Sequence, residues 1–170
     1  MKQKIFYSIC LMLSFFLVHC QKDQGKAVIS LEAQAIHTHA CAACGMIVRE
    51  EPSPRGQVIH RDGKRVFFCS LSDMLTYLET PSPHGKARMI FVEGMNPKTD
   101  PLVFSPKTEP WLAASKATYV LGVKKTRVMG VPILSYEKKA DAEIWAKQYK
   151  GQVVTWEALR PAWQKLRGRP

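Results

Sequence analysis

The sequence predicts an α+β domain made of two strand–strand–helix–strand (ββαβ) halves. Three observations predict it. Asp62-Gly63 stands between two runs rich in β-forming residues, which is the pattern of a tight hairpin. Leu71, Met74, Leu75 and Leu78 then recur at i, i+3, i+4 and i+7, the spacing of one apolar helix face. The same order of elements returns after residue 117, although the two halves share negligible sequence identity.

The elements follow in order. Gln57–His60 and Lys64–Phe68 are the first two strands, joined through Arg61-Asp62-Gly63. Ser70 is a helix N-cap with an acidic residue, Asp73, three positions later. Pro81-Ser82-Pro83-His84-Gly85 ends that helix, and Ala87–Val92 is the third strand. Residues 93–111 hold four prolines and read as a long linking loop. In the second half, Ala117–Leu121 and Val131–Tyr136 are strands, with Pro132 near a strand start. Lys138–Tyr149 is a helix with Ala142, Trp145, Ala146 and Tyr149 on one face, and Gly151 is its expected C-cap. Gln152–Thr155 closes the half, and Trp156–Leu166 is a terminal helix, or a pair, interrupted near Pro161.

The N-terminus has a different character. Lys2 and Lys4 precede an apolar run, Ile5–Val18, too short to span a bilayer comfortably but suited to a signal-peptide core. It ends in Leu17-Val18-His19-Cys20, which resembles a bacterial lipobox, with His19 where a small residue normally stands. Cys20 is therefore the expected lipidation site. The predicted organisation is a leader over 1–19, a flexible tether over 20–35, a folded metal-binding domain over 36–160, and a basic C-terminal tail over 161–170. Gln21 in place of an aspartate points to an outer-membrane anchor facing the periplasm.

The chain carries a net charge of +11, and loss of Lys2 and Lys4 with the leader leaves +9. The basic residues are scattered, without a stripe interleaved with aromatics, so nucleic acid is not the expected partner. Enzymatic signatures are missing too: there is no Gly-rich phosphate loop and no nucleophile elbow.

The candidate chemistry lies in Cys41-Ala-Ala-Cys44-Gly-Met46 and in Phe67-Phe68-Cys69-Ser70. Once Cys10 leaves with the leader and Cys20 is lipidated, Cys41, Cys44 and Cys69 remain, an odd number for an exported chain. A soft metal held by thiolates accounts for three, since thiolate and thioether ligands suit Cu(I) better than any hard cation. A Cys41–Cys44 disulfide with a free Cys69 is the rival in an oxidising compartment. Two other readings stay open: a structural zinc module using Cys41, Cys44, Cys69 and either His37 or His39, and a thiol–disulfide oxidoreductase using Cys41 and Cys44. Met74 reads as core, and Trp111 and Trp145 as core aromatics.

Cys44-Gly45-Met46 resembles the cysteine–glycine–methionine motif of the NosL family, lipoproteins that chaperone Cu(I) to nitrous-oxide reductase. The likeness continues through Arg55-Gly56-Gln57, the aromatic–Ser–x–x–Asp segment in Phe67–Met74, Phe91–Met95, Trp111–Val120, Met129-Gly130 and Glu143–Glu157. It covers about residues 36–160, and its strength lies in the order of the motifs. The resemblance implies two ββαβ halves, no enzymatic activity, a Cu(I) site formed by Cys44, Met46 and Met129, and an acceptor cuproenzyme such as nitrous-oxide reductase as partner. Cys41 and Cys69 are additions to that pattern and candidate ligands themselves. Phe67-Phe68-Cys69-Ser70 is similar instead to the Phe-Cys-Ser element of TRASH/YHS domains, where a further cysteine often follows four residues later. Here Asp73 takes that place.

Overall fold

The structure is a computed structural model that describes residues 29–103, 107–124 and 130–168. Cys20 and Met129 lie outside the described residues.

β1 (Gly56–His60) is buried at every position and forms the centre of the first sheet. β2 (Arg65–Phe68) pairs with it antiparallel through the Asp62-Gly63 turn, where the Asp62 carboxylate accepts the Lys64 N–H at 2.9 Å and Gly63 takes φ +90°. α1 (Leu71–Glu79) begins as its sequence predicts, the Ser70 hydroxyl accepting the Asp73 N–H at 3.0 Å. It buries Leu71, Met74 and Leu75. Each such side chain is worth about 1.5–3 kcal/mol of transfer free energy. β3 (Ala87–Glu93) returns antiparallel on the far side of β1.

The second half repeats the winding. β5 (Thr118–Leu121) is central, flanked antiparallel by β6 (Ile133–Tyr136) and β7 (Gln152–Val154), with α2 (Lys139–Tyr149) between them in sequence. The strand orders, β2-β1-β3 and β6-β5-β7, are thus the same arrangement. The alternating side chains of β5 serve two layers. Tyr119 and Leu121 enter the main core shared with the first half, whereas Val120 faces a smaller core closed by Ala142 and Ala146 of α2.

The structure departs from the expectations in four places. The linking loop ends in a short strand, β4 (Trp111–Ala113), which pairs with β3 and widens the first sheet to four strands. α3 (Trp156–Arg167) runs unbroken through Pro161, so residues 161–167 are helix and not tail. Pro161 is exposed, and the apolar face of α3 holds Leu159 and Trp163 at zero exposure in the core. The left-handed C-cap of α2 is Lys150 (φ 54°), not Gly151. Gly151 is instead a close-packing position, where a Cβ would come within 2.7 Å of Val120 Cγ1 and 2.9 Å of the Leu121 carbonyl. Finally, the end of the expected tether is docked. Gln34 exchanges two hydrogen bonds with the Gln57 side chain, and Arg65 donates to the carbonyls of Ser30 and Glu32.

Arg55 and Glu93 tie the loops that flank this first sheet. Both are fully buried, and Glu93 accepts from Arg55 Nε at 2.7 Å and from its terminal nitrogen at 2.9 Å. The same guanidinium reaches the carbonyls of Lys107 and Arg49, while Glu93 also accepts the Glu109 N–H. Among the described residues, no helix is long and apolar enough to cross a membrane.

Candidate metal centre

The segment from Cys41 to Met46 is a closed loop. Cys41 donates its N–H to the Met46 carbonyl at 2.8 Å, and Gly45 donates back to the Cys41 carbonyl at 2.9 Å. Gly45 sits at φ +80°, a conformation that L side chains rarely adopt, so glycine is required between Cys44 and Met46. The Ala42 N–H then donates to the Phe67 carbonyl, strapping the loop against β2.

That strap carries the cysteines of the loop to the corner where β2 ends and α1 begins. Cys69 is the last residue before the Ser70 cap, and Asp73 lies in the first turn of the helix. Among the described residues, Cys41, Cys44, Cys69 and Asp73 form one group whose sulfur and carboxylate oxygen atoms all lie within 4.8 Å of one another. Cys44 Sγ is 3.4 Å from Cys69 Sγ, and Asp73 Oδ2 lies 3.1 Å from Cys69 Sγ and 3.8 Å from Cys41 Sγ. Cys41 and Cys69 are buried, and Cys44 is exposed. The corner is therefore walled on one side and open at Cys44.

The thiols differ in their readiness to ionise. The Cys41 thiol is lowered to about 5, first by the hydrogen bond from the Cys69 thiol and then, against the opposing effect of burial, by backbone N–H groups of the loop. The Cys69 thiol is raised, because it supplies that hydrogen bond, is buried and faces Asp73. Burial is the first cause that raises Cys44. Cys41 is thus the thiol of the three most ready to ionise.

Among the described residues Cys41, Cys44 and Cys69 are free thiols, without the Cys41–Cys44 disulfide. Neither His37 nor His39 joins the group. The His39 ring stacks on Phe67 at 3.9 Å, and its Nδ1 accepts the His37 N–H. Met46 is half-buried against the main core, and Met74 is fully buried in it. Trp111 packs partly buried against that core, and Trp145 against the smaller one, where its indole also donates to the Pro97 carbonyl. Gly130 and Val131 do approach the corner: the Val131 N–H donates to Ser72 Oγ at 3.2 Å, one residue from Asp73. Ser72 also accepts from the buried Trp163 indole at 2.9 Å, which couples α3 to the same turn.

Asp73 is the member of this group that the sequence does not single out. Its signal was present in the four-residue spacing from Cys69, the position where a TRASH/YHS domain places another cysteine. A cavity of about 710 Å³ lies between α1 and α3 and is lined by His60, Leu75, Leu78, Ile90 and Trp156. It contains no thiol. His60 there is buried with both ring nitrogens engaged, by the Gly85 carbonyl and the Tyr77 hydroxyl.

Comparison with known proteins bears on this geometry. The chain is 28% identical over 155 residues to the copper-binding lipoprotein NosL of Stutzerimonas stutzeri, covering 91% of this chain and 79% of that one. It is 26% identical over 113 residues to the copper-binding lipoprotein NosL of Achromobacter cycloclastes, covering 65% and 58%. Among solved structures, the crystal structure of the copper chaperone NosL from Shewanella denitrificans superposes with a TM-score of 0.63 at 30% identity, covering 74% of this chain and 93% of that one. The α+β architecture with two sheets agrees with that structure. The NosL family profile matches residues 32–164, which takes in both ββαβ halves and the thiol corner, and the chain belongs to the NosL family.

Proposed function

We propose that this protein is a Cu(I)-binding chaperone of the cell envelope, not an enzyme, and that the β2–α1 corner is where it holds its cargo. The observation that carries this reading is the convergence of three thiols in one corner, with the outermost, Cys44, exposed. Soft sulfur donors stabilise Cu(I) in low coordination and disfavour hard ions. Relatives named as copper-binding lipoproteins and a structural neighbour named as a copper chaperone support the same reading.

In this proposal, Cys44 and Met46 bind Cu(I) with Met129, and Cys41 and Cys69 enrich the site in thiolate. The contact of Gly130 and Val131 with the corner supports a role for Met129, their neighbour in sequence. Cys44 is the natural handover ligand: an acceptor's sulfur can reach the metal from the open side while Cys41 and Cys69 still hold it from the walled side. The acceptor is a cuproenzyme, with nitrous-oxide reductase the one implied by the family resemblance. Lipidation at Cys20 would tether the domain to a membrane, with the outer membrane facing the periplasm as the expected location.

Competition between the reduced protein and a chromophoric Cu(I) chelator tests the core of this reading. One tightly bound Cu(I) per chain is expected, with a large loss of affinity in Cys44→Ser. Wild-type protein that fails to compete, or a Cys44→Ser variant that competes equally well, would overturn it.

A further inference from the structure

We infer that Asp73 is the fourth ligand of a tetrahedral S3O site in this corner, which takes a divalent ion of the zinc class when Cu(I) is not bound. The inference rests on the thiolate site proposed above and goes beyond it by giving the corner a second cargo with a different ligand set. Three sulfurs bonded to one ion at about 2.3 Å, with a carboxylate oxygen at about 2.0–2.2 Å, form a tetrahedron whose edges are about 3.4–3.8 Å. The distances already present, 3.1, 3.4 and 3.8 Å, with all four atoms inside 4.8 Å, need only small side-chain adjustments to reach that shape.

The backbone has built the walls for it. Asp73 is held in the first turn of α1 by the Ser70 cap, Cys69 immediately precedes that cap, and Cys41 is fixed by the strap to β2. Three of the four ligands therefore stand on ordered elements before any ion arrives. Histidine was the expected fourth ligand of a zinc site in this chain, but His39 is committed to Phe67 and to His37.

Ligand chemistry separates the two cargoes. A carboxylate oxygen is an ordinary donor to Zn²⁺ or Co²⁺ and a poor one to Cu(I). A divalent ion thus engages all four groups, whereas Cu(I) is satisfied by sulfur and leaves Asp73 aside. The site can then be occupied by a divalent ion that keeps the thiols from oxidising, until Cu(I) displaces it and releases the carboxylate.

Anaerobic titration of the reduced full chain with Co²⁺ tests this. The expected result is a one-to-one complex with a thiolate-to-cobalt charge-transfer band and the intense visible bands of tetrahedral cobalt. Asp73→Asn keeps the shape of the side chain and should weaken Co²⁺ binding by at least about tenfold and alter the visible bands. Asp73→Ala should do the same. Cu(I) affinity, measured by chelator competition on the same proteins, should fall by a smaller factor than Co²⁺ affinity. Unchanged circular dichroism in either variant keeps loss of folding apart from loss of a ligand. Asp73→Asn with wild-type Co²⁺ affinity and spectrum would overturn the assignment of Asp73. Wild-type protein that binds Cu(I) but no Co²⁺ would overturn the divalent site and leave the copper reading standing. Binding of neither ion would overturn both.

Discussion

Arg55 and Glu93 meet as a two-point ion pair with no solvent exposure, and each also holds backbone groups of the loops beside the first sheet. The pair closes the region where β1 begins and β3 ends. Removing one partner leaves the other charge buried and uncompensated. Glu93→Ala is therefore expected to lower unfolding free energy by about 3–5 kcal/mol, read from urea denaturation. The double variant Arg55→Met/Glu93→Ala should recover part of that loss, because it buries no lone charge.

Gly45 lies at φ +80° with open space around its Cα, so an added methyl meets no neighbour and strains only the backbone. Gly45→Ala should cost about 1–2 kcal/mol of stability and also lower Cu(I) affinity, because the strained turn sets the spacing of Cys44 and Met46. Gly122 supplies the control, with φ +82° and equally open surroundings. Gly122→Ala should show a similar shift in thermal midpoint with copper affinity intact.

The Cys44 and Cys69 sulfurs lie 3.4 Å apart, and Cys44 is the exposed thiol that an oxidant in solution meets first. Treating the metal-free protein with one equivalent of a diazene thiol oxidant should therefore link Cys44 to Cys69, identified by peptide mass mapping. A Cys41–Cys44 linkage as the main product would contradict this geometry. Prior loading with Cu(I) should protect both thiols.

Two buried tyrosines should respond in opposite directions. The Tyr136 hydroxyl is buried without a hydrogen-bond partner among the described residues, whereas that of Tyr119 donates to the Ala114 carbonyl at 2.7 Å. Tyr136→Phe should leave stability unchanged or raise it by up to about 1 kcal/mol, and Tyr119→Phe should lower it by about 1 kcal/mol or more. Thermal unfolding of the two variants side by side makes the comparison.

Much of this architecture is legible from local signals. Asp62-Gly63, the Ser70 cap with Asp73, and the apolar spacing of α1 each report a structure built from neighbours in sequence. Features that depend on distant partners are not legible in that way. β4 exists because Trp111–Ala113 finds the free edge of β3, and three residues carry no period of their own. α3 survives Pro161 because Trp163 and Leu159 are anchored in the core. Arg55 and Glu93 both stood in recognisable motifs, yet nothing in either motif says that they pair across 38 residues. At the metal corner, the thiols announce their chemistry by type and spacing, while Asp73 looks like an ordinary capping residue until the fold places it against Cys69.

The shared winding of the two halves gives the molecule two strand-to-helix corners of the same kind. In the first, Cys69 and Ser70 stand between β2 and α1; in the second, Glu137 and Lys138 stand between β6 and α2, and Lys138 makes no side-chain cap. One corner gathers three thiols and a carboxylate, and its twin carries no cysteine. The twin is thus an internal blank: a thiol introduced at Glu137 repeats the setting of Cys69 without the strapped loop, and isolates within one chain what that loop adds.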